Sequence, residues 1–275
     1  MLTPEQREEF DRFGIARLPG AVAQEVVRQM CDSVWDTVER RAEVRRNDPQ
    51  TWKAQRMIGL KDLPESLNFH RIATPAVCEA LDSLFCTRKW ERTERRFSML
   101  VAFPESTERW DVPSQGWHLD YPVVRGLEGT YAVRIFVSLA KLGHGGGGTL
   151  FIAGSHRLMQ RILANKTADN KTAEKIRSAD ARRAMIRSSP WAKALFSLDG
   201  KTDRVRRFIN GSTTIDKQEV RVVEMMGEPG DVFLTHPALL HSPSTNCSGE
   251  PRMVLSGSVY RDPSIENALY GGDSD

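Results

Sequence analysis

No stretch of the sequence is apolar for long enough to cross a bilayer, so a helical membrane span is not expected. The first residues, Met-Leu-Thr-Pro-Glu-Gln-Arg-Glu-Glu-Phe, are polar and acidic and do not read as a secretory signal. Cysteine is scarce: Cys31, Cys78, Cys86 and Cys247 are scattered, and no two make a C-x-x-C pair. A thiolate zinc site is therefore not expected, and the four read as reduced cysteines of a cytoplasmic protein. Repeats and low-complexity runs are missing as well. The glycine run Gly145–Gly148 lacks the G-K-[ST] that would make it a phosphate-binding loop, so a turn is expected there. The net charge, +3, is too small to argue for a nucleic-acid partner. Charge is unevenly spread, however. Residues 157–207 hold fourteen Lys and Arg against five Asp and Glu, which fits either a solvated helical face or a patch that attracts anions.

What is present is ordinary globular material. With 275 residues, 40% hydrophobic and 27% charged, the chain can bury a large core without disulfides or structural metal. Thr3-Pro4-Glu5-Gln6 supplies a cap, a proline at the first turn and a capping box, and Gly14 stops that helix. A short extended piece, Ile15 to Leu18, follows. Val22, Val26, Val27, Met30, Val34, Trp35 and Val38 then recur at helical spacing, and Thr74-Pro75 opens a further helix. From about residue 96 the pattern changes to short strands between turn signals. They are expected at Phe97–Phe103 and around Trp117–Tyr121, Tyr131–Leu139, Thr149–Ala153, Val220–Met225, Asp231–Thr235 and Met253–Tyr260. Many short strands with Gly and Pro turns point to a sandwich or a jelly roll. The expected plan is one domain over 1–275. It has a mainly helical flank at 1–95 and a β core at 96–260, with a helical, lid-like insertion at about 157–200. The apolar cluster near Trp191 would pack on that core or on a second copy, so self-association stays open.

Three features carry chemistry. His118-Leu119-Asp120 on a strand would place a His and an Asp on one face, because residues two apart point the same way. Two His and one carboxylate on one side of a metal leave the other side open, the arrangement of non-haem iron(II) oxygenases. A histidine hydrogen-bonded to a neighbouring carboxylate would give the same pair. Far downstream, the turn Pro229-Gly230-Asp231 starts a strand, and His241 follows it in a loop where a ligand can project inward. Arg252 then opens the last strand. Its guanidinium matches a carboxylate bidentately, although a lone arginine also serves in surface ion pairs. His144 and His156 have no carboxylate at ligand spacing in the sequence and are expected to be hydrogen-bonding residues.

The sequence resembles the phytanoyl-CoA dioxygenase-like branch of the Fe(II)/2-oxoglutarate oxygenases. The resemblance runs through Trp117–Asp120, Gly147–Arg157, Pro229–Asp231, His236–His241 and Arg252, and covers most of the chain outside the insertion. It implies a double-stranded β-helix, a cupin-like jelly roll with flanking helices. It places iron on His118, Asp120 and His241, and the cosubstrate 2-oxoglutarate on Arg252, with O2 as co-reactant. Leu119 and Phe103 stand where some members have a polar residue and a lysine, so Thr149 and Arg134 are the candidates to complete the cosubstrate pocket. Trp117, Tyr121 and Arg125 are expected at the substrate mouth. The implied reaction hydroxylates or otherwise oxidises a C–H bond of a small molecule, releasing succinate and CO2, and Arg125, Arg134 and the basic insertion favour a polar or anionic metabolite. A binding protein that has kept the metal residues without catalysis, or an oxygenase acting on a macromolecule, are the competing readings.

Overall fold

The computed structural model describes residues 1–52, 56–58, 69–90, 97–105, 109–124, 126–127, 129–168, 175–198, 202–262, 264–265 and 269. Helix α1 (Pro4–Phe13) begins as its sequence demands, with the Thr3 and Gln6 side chains each accepting from the other's backbone N–H. It ends at Gly14, whose φ of 80° is open to glycine at little cost. Then come β1 (Ile15–Leu18), α2 (Gln24–Arg41), β2 (Arg56–Ile58) and α3 (Pro75–Phe85, capped by Thr74). The sequence reading did not foresee β2.

Strands β3 (Ser98–Ala102), β4 (Val123–Val124), β5 (Ala132–Ser138) and β6 (Leu150–Ala153) lead into the insertion. The insertion is built from α4 (Ser155–Ala168), β7 (Lys175–Ile176), α5 (Ser178–Ser188) and α6 (Pro190–Leu195), with a further helical turn at Val205–Ile209. The chain returns through β8 (Thr213–Ile215), β9 (Gln218–Glu224), β10 (Val232–Thr235), β11 (His241–Ser242) and β12 (Arg252–Tyr260).

Two antiparallel sheets face each other, one in the order β1-β10-β5-β12-β3-β2 and the other β11-β6-β9-β8. This is the expected mainly-β core with helical flanks. The apolar faces of α1, α2 and α3 cover the outside of the larger sheet, burying Phe10, Met30, Val34 and Leu81 against Val101, Ile135, Leu234 and Leu255. The insertion covers the outside of the smaller sheet, burying Met159, Met185, Trp191 and Phe208 against Leu150, Ile152, Val220 and Val222. The apolar cluster around Trp191 is therefore not an exposed patch; it packs on its own β core, with Ala192 and Leu195 fully buried. A small cluster, Phe136, Phe151, Met225, Phe233, Leu239 and Val254, lies among the core strands. Among the described residues no helix is long and apolar enough to cross a membrane.

The expected strand at Trp117–Tyr121 is a correction. Only one bridge forms there, His118 opposite His241, with hydrogen bonds of 2.8 and 3.0 Å in the two directions. The partner strand β11 is two residues long and is followed by Pro243, which has no N–H to continue a ladder. The period-two alternation survives nonetheless. Trp117, Leu119 and Tyr121 are buried, while His118 and Asp120 are half-buried.

Candidate metal centre and its cavity

His118 and Asp120 reach one point from their segment, and His241 reaches it from β11. One ligand atom from each lies within 4.8 Å of the others. Both imidazoles are oriented through Nδ1. That of His118 lies 2.8 Å from the Gly116 carbonyl oxygen, and that of His241 lies 3.1 Å from the Leu239 carbonyl oxygen. A ring held this way presents Nε2 with its lone pair, the usual arrangement behind a metal-binding histidine. Each Nε2 faces the carboxylate, His118 at 3.6 Å from Oδ1 and His241 at 3.5 Å from Oδ2.

Burial acts to raise the Asp120 carboxyl, but His241, His118 and Arg134 outweigh it and hold the group well below the usual carboxylate range. Contact with Asp120 in turn raises His118. Asp120 Oδ2 is buried and accepts no hydrogen bond, although Arg134 Nε stands 3.2 Å away. An ionised, half-buried carboxylate with two neutral-capable imidazole nitrogens turned toward it is a donor set that fits a divalent cation.

The three groups line a cavity of about 290 Å³, together with Leu100, Phe136, Thr149, Pro243, Ser244, Arg134 and Arg252. Arg252 is buried at the start of β12, and its Nη1 donates to the Gly147 carbonyl at 2.8 Å. The glycine run thus makes the expected turn and adds a function: it turns a carbonyl onto the arginine. Gly148 permits the close approach of the next strand, since a Cβ there would stand 2.1 Å from the Met225 carbonyl oxygen. Arg134 Nη1 donates to Ser258 Oγ at 3.3 Å, and the Tyr121 hydroxyl also bonds that serine.

The structure brings His118, Asp120, His241, Arg252, Thr149 and Arg134 around one cavity. It does not bring Trp117 there. That indole is 1% exposed, donates to the Pro113 carbonyl at 2.9 Å and packs edge-on against Phe196, on the side facing the insertion. The alternation that turns His118 and Asp120 into the cavity turns their odd-numbered neighbours out of it. Tyr121 is likewise buried, behind Ser258 and Arg134. Arg125 lies outside the described residues. His144, expected to lack a carboxylate, has one supplied by tertiary structure: its Nδ1 lies 2.8 Å from buried Glu224, whose other oxygen accepts from the Gly145 N–H. His156 is buried and bonds the Asp11 carbonyl, as a hydrogen-bonding residue should.

The sequence reading missed Ser178 and Arg204. Ser178 Oγ accepts from the Leu119 N–H and donates to the Leu119 carbonyl, both at 2.9 Å. Arg204 donates to the carbonyls of Val112, Pro113, Ala194, Leu195 and Ser197 at 2.6–3.2 Å. Neither carries a local sequence signal, since each acts on residues distant in the chain.

Comparison with known proteins places the chain in a family and a fold. The family model described as Phytanoyl-CoA dioxygenase (PhyH) matches residues 10–254. No curated protein sequence matches. Among solved structures, EvdMO1 is similar at 15% identity and a TM-score of 0.52, covering 93% of this chain; the chain spans only 49% of EvdMO1. SnoN, described as an epimerase in complex with Fe3+, alpha ketoglutarate and nogalamycin RO, is 16% identical with a TM-score of 0.52, covering 98% of this chain and 91% of its own. AviO1 from Streptomyces viridochromogenes Tue57 is 15% identical with a TM-score of 0.51, covering 96% and 98%. At these identities the likeness is one of fold.

Proposed function

The chain belongs to the phytanoyl-CoA dioxygenase family and is an enzyme of the iron(II)/2-oxoglutarate oxygenase type, and from that premise we propose which residues do the work and on what. His118, Asp120 and His241 hold the iron, and Arg252 pairs with the far carboxylate of 2-oxoglutarate. The enzyme oxidises an unactivated C–H bond of a small, polar or anionic metabolite, and residues 1–275 act as one domain. The observation that carries this reading is the convergence of two Nε2 atoms and one carboxylate within 4.8 Å, on a cavity that Arg252 also lines.

When bound, iron(II) with 2-oxoglutarate and O2 supplies the oxidant for C–H attack, with succinate and CO2 as co-products. The protein supplies position and dryness. The Gly147 carbonyl holds the Arg252 fork in place, Thr149 offers a hydroxyl along the cosubstrate path, and Leu100 and Phe136 exclude water. Arg134 puts a positive charge beside the metal ligands, which favours a substrate carrying a negative or strongly polar group.

The test is anaerobic addition of iron(II) and 2-oxoglutarate to metal-free protein, read by the weak visible band of the chelate. The band should need both additions. Asp120→Ala should abolish it, and Arg252→Lys should leave metal binding intact while raising the 2-oxoglutarate concentration needed by about tenfold. A wild-type protein with no band and no retained iron would sink the reading.

A further inference from the structure

The geometry points to Ser178 as a positioning residue for the metal ligands, and to the helical insertion as the splint that holds their segment rather than a cover over the cavity. This rests on the reading of His118, Asp120 and His241 as metal ligands. Residues 117–121 lack the ladder that would fix a strand, having only the His118–His241 bridge. Leu119, the residue between the two ligands, is 6% exposed, so its peptide N–H and C=O must find partners inside the protein. Both partners are the same atom. Ser178 Oγ, at the first turn of α5, takes the N–H and returns its own proton to the C=O.

One hydroxyl thus replaces the missing neighbouring strand at both peptide groups flanking Leu119, the two that link it to His118 and to Asp120. The rest of the insertion reinforces it. Strand β7 pairs with β4, Val123 opposite Ile176, immediately after the metal motif. Arg204 fastens the Val112 and Pro113 carbonyls to the end of α6, and Trp117 packs on Phe196. Leu119 itself is buried in the same cluster as Ile176, Met185 and Trp191. A splint of this kind couples both ways: what the insertion does for the metal, the metal does for the insertion.

The experiment is a Mn(II) titration of metal-free protein, followed by loss of the free-ion EPR signal, on the wild type, Ser178→Ala, Ser178→Thr and Ser188→Ala. Ser188 closes a hydrogen bond to the Met185 carbonyl within the same helix and does not touch the motif. Ser178→Ala should raise the Mn(II) dissociation constant about tenfold, the usual scale for a support behind metal ligands. Ser178→Thr, which keeps the hydroxyl, should recover most of that loss, and Ser188→Ala should bind as the wild type does. Hydrogen exchange of the unaltered protein gives a second readout that needs no variant: Mn(II) should slow exchange across the first turn of α5. Wild-type affinity in Ser178→Ala, equal losses in both alanine variants, or no change in α5 exchange on Mn(II) binding would each overturn the proposal. A wild-type protein that takes up no Mn(II) would instead remove the metal-ligand reading beneath it.

Discussion

Arg252 and Arg134 stand on strands of the larger sheet whose neighbours pair over many residues: β12 lies between β3 and β5, and β5 between β10 and β12. Their positions follow from register, since residues 252, 254, 256 and 258 share one face of β12 and residues 134, 136 and 138 share one face of β5. On the other side of the cavity, His118 and Asp120 sit on a segment with a single bridge, its backbone held by the Ser178 side chain, while Arg204 fastens Val112 and Pro113 just upstream. A ladder spreads its support over many equivalent bonds. A splint concentrates support in a few, so damage to it should be felt at the metal, whereas damage to the ladder should be felt only in stability.

That contrast can be broken in three ways. The largest effect is expected for Leu255→Ala in the larger sheet. Leu255 is fully buried under the helices, and its loss should cost about 4 kcal/mol of unfolding free energy. Urea denaturation measures the cost, and Mn(II) affinity should stay within about twofold of the wild type; a larger fall would erase the distinction between the two sides. Next comes Arg204→Met, which keeps the buried stem but strips the donors from the carbonyls of Val112, Pro113, Ala194, Leu195 and Ser197. It should cost about 3 kcal/mol and also weaken Mn(II) binding several-fold. A stability loss with unchanged metal affinity would show that the splint ends at Ser178.

The smallest effect is one of pH. Burial pushes His156 down to about 4 from its ordinary 6.5. Between these values the unfolded chain binds a proton that the folded chain refuses, so stability is full above about pH 6.5 and falls as the pH drops toward 4. At pH 5 the loss from this residue should be about 2 kcal/mol. Thermal melts of metal-free protein at pH 7.5 and pH 5 would read it, and His156→Gln should shrink the difference, leaving the part due to buried His236, which is also pushed well below its ordinary value. An equal slope in the variant would move the acid sensitivity elsewhere, His236 being the neighbour whose ring lies 4.8 Å away.

Features with local signals are legible in the sequence, and the supports that tertiary structure supplies are not. The helix at Pro4–Phe13 was legible because its cap, proline and stop are all local. The strands that became β5, β10 and β12 were legible because apolar runs bounded by turns leave a local trace. That His118, Asp120, His241 and Arg252 come together on one cavity could be read from residue type and order. Trp117 was misplaced because alternation does not say which face is the inner one, and here the larger side chains face the insertion. Ser178 lies 59 residues from Leu119 and Arg204 lies 92 from Val112. A serine opening a helix and an arginine in a basic stretch look like any others until the fold brings their partners to them.

Strand β1 has its own consequence for how the protein is made. Ile15 pairs with Thr235 and Leu18 with Val232, while the Phe13 and Gly14 carbonyls accept from Gly154 and His236. Strand β1 therefore leaves the ribosome well before β10, the strand it docks on, and β12, which occupies the middle of the same sheet, is later still. Until β5, β10 and β12 have all emerged, α1, α2 and α3 have no completed sheet to cover, and their apolar faces remain available to anything else in the cell that binds them.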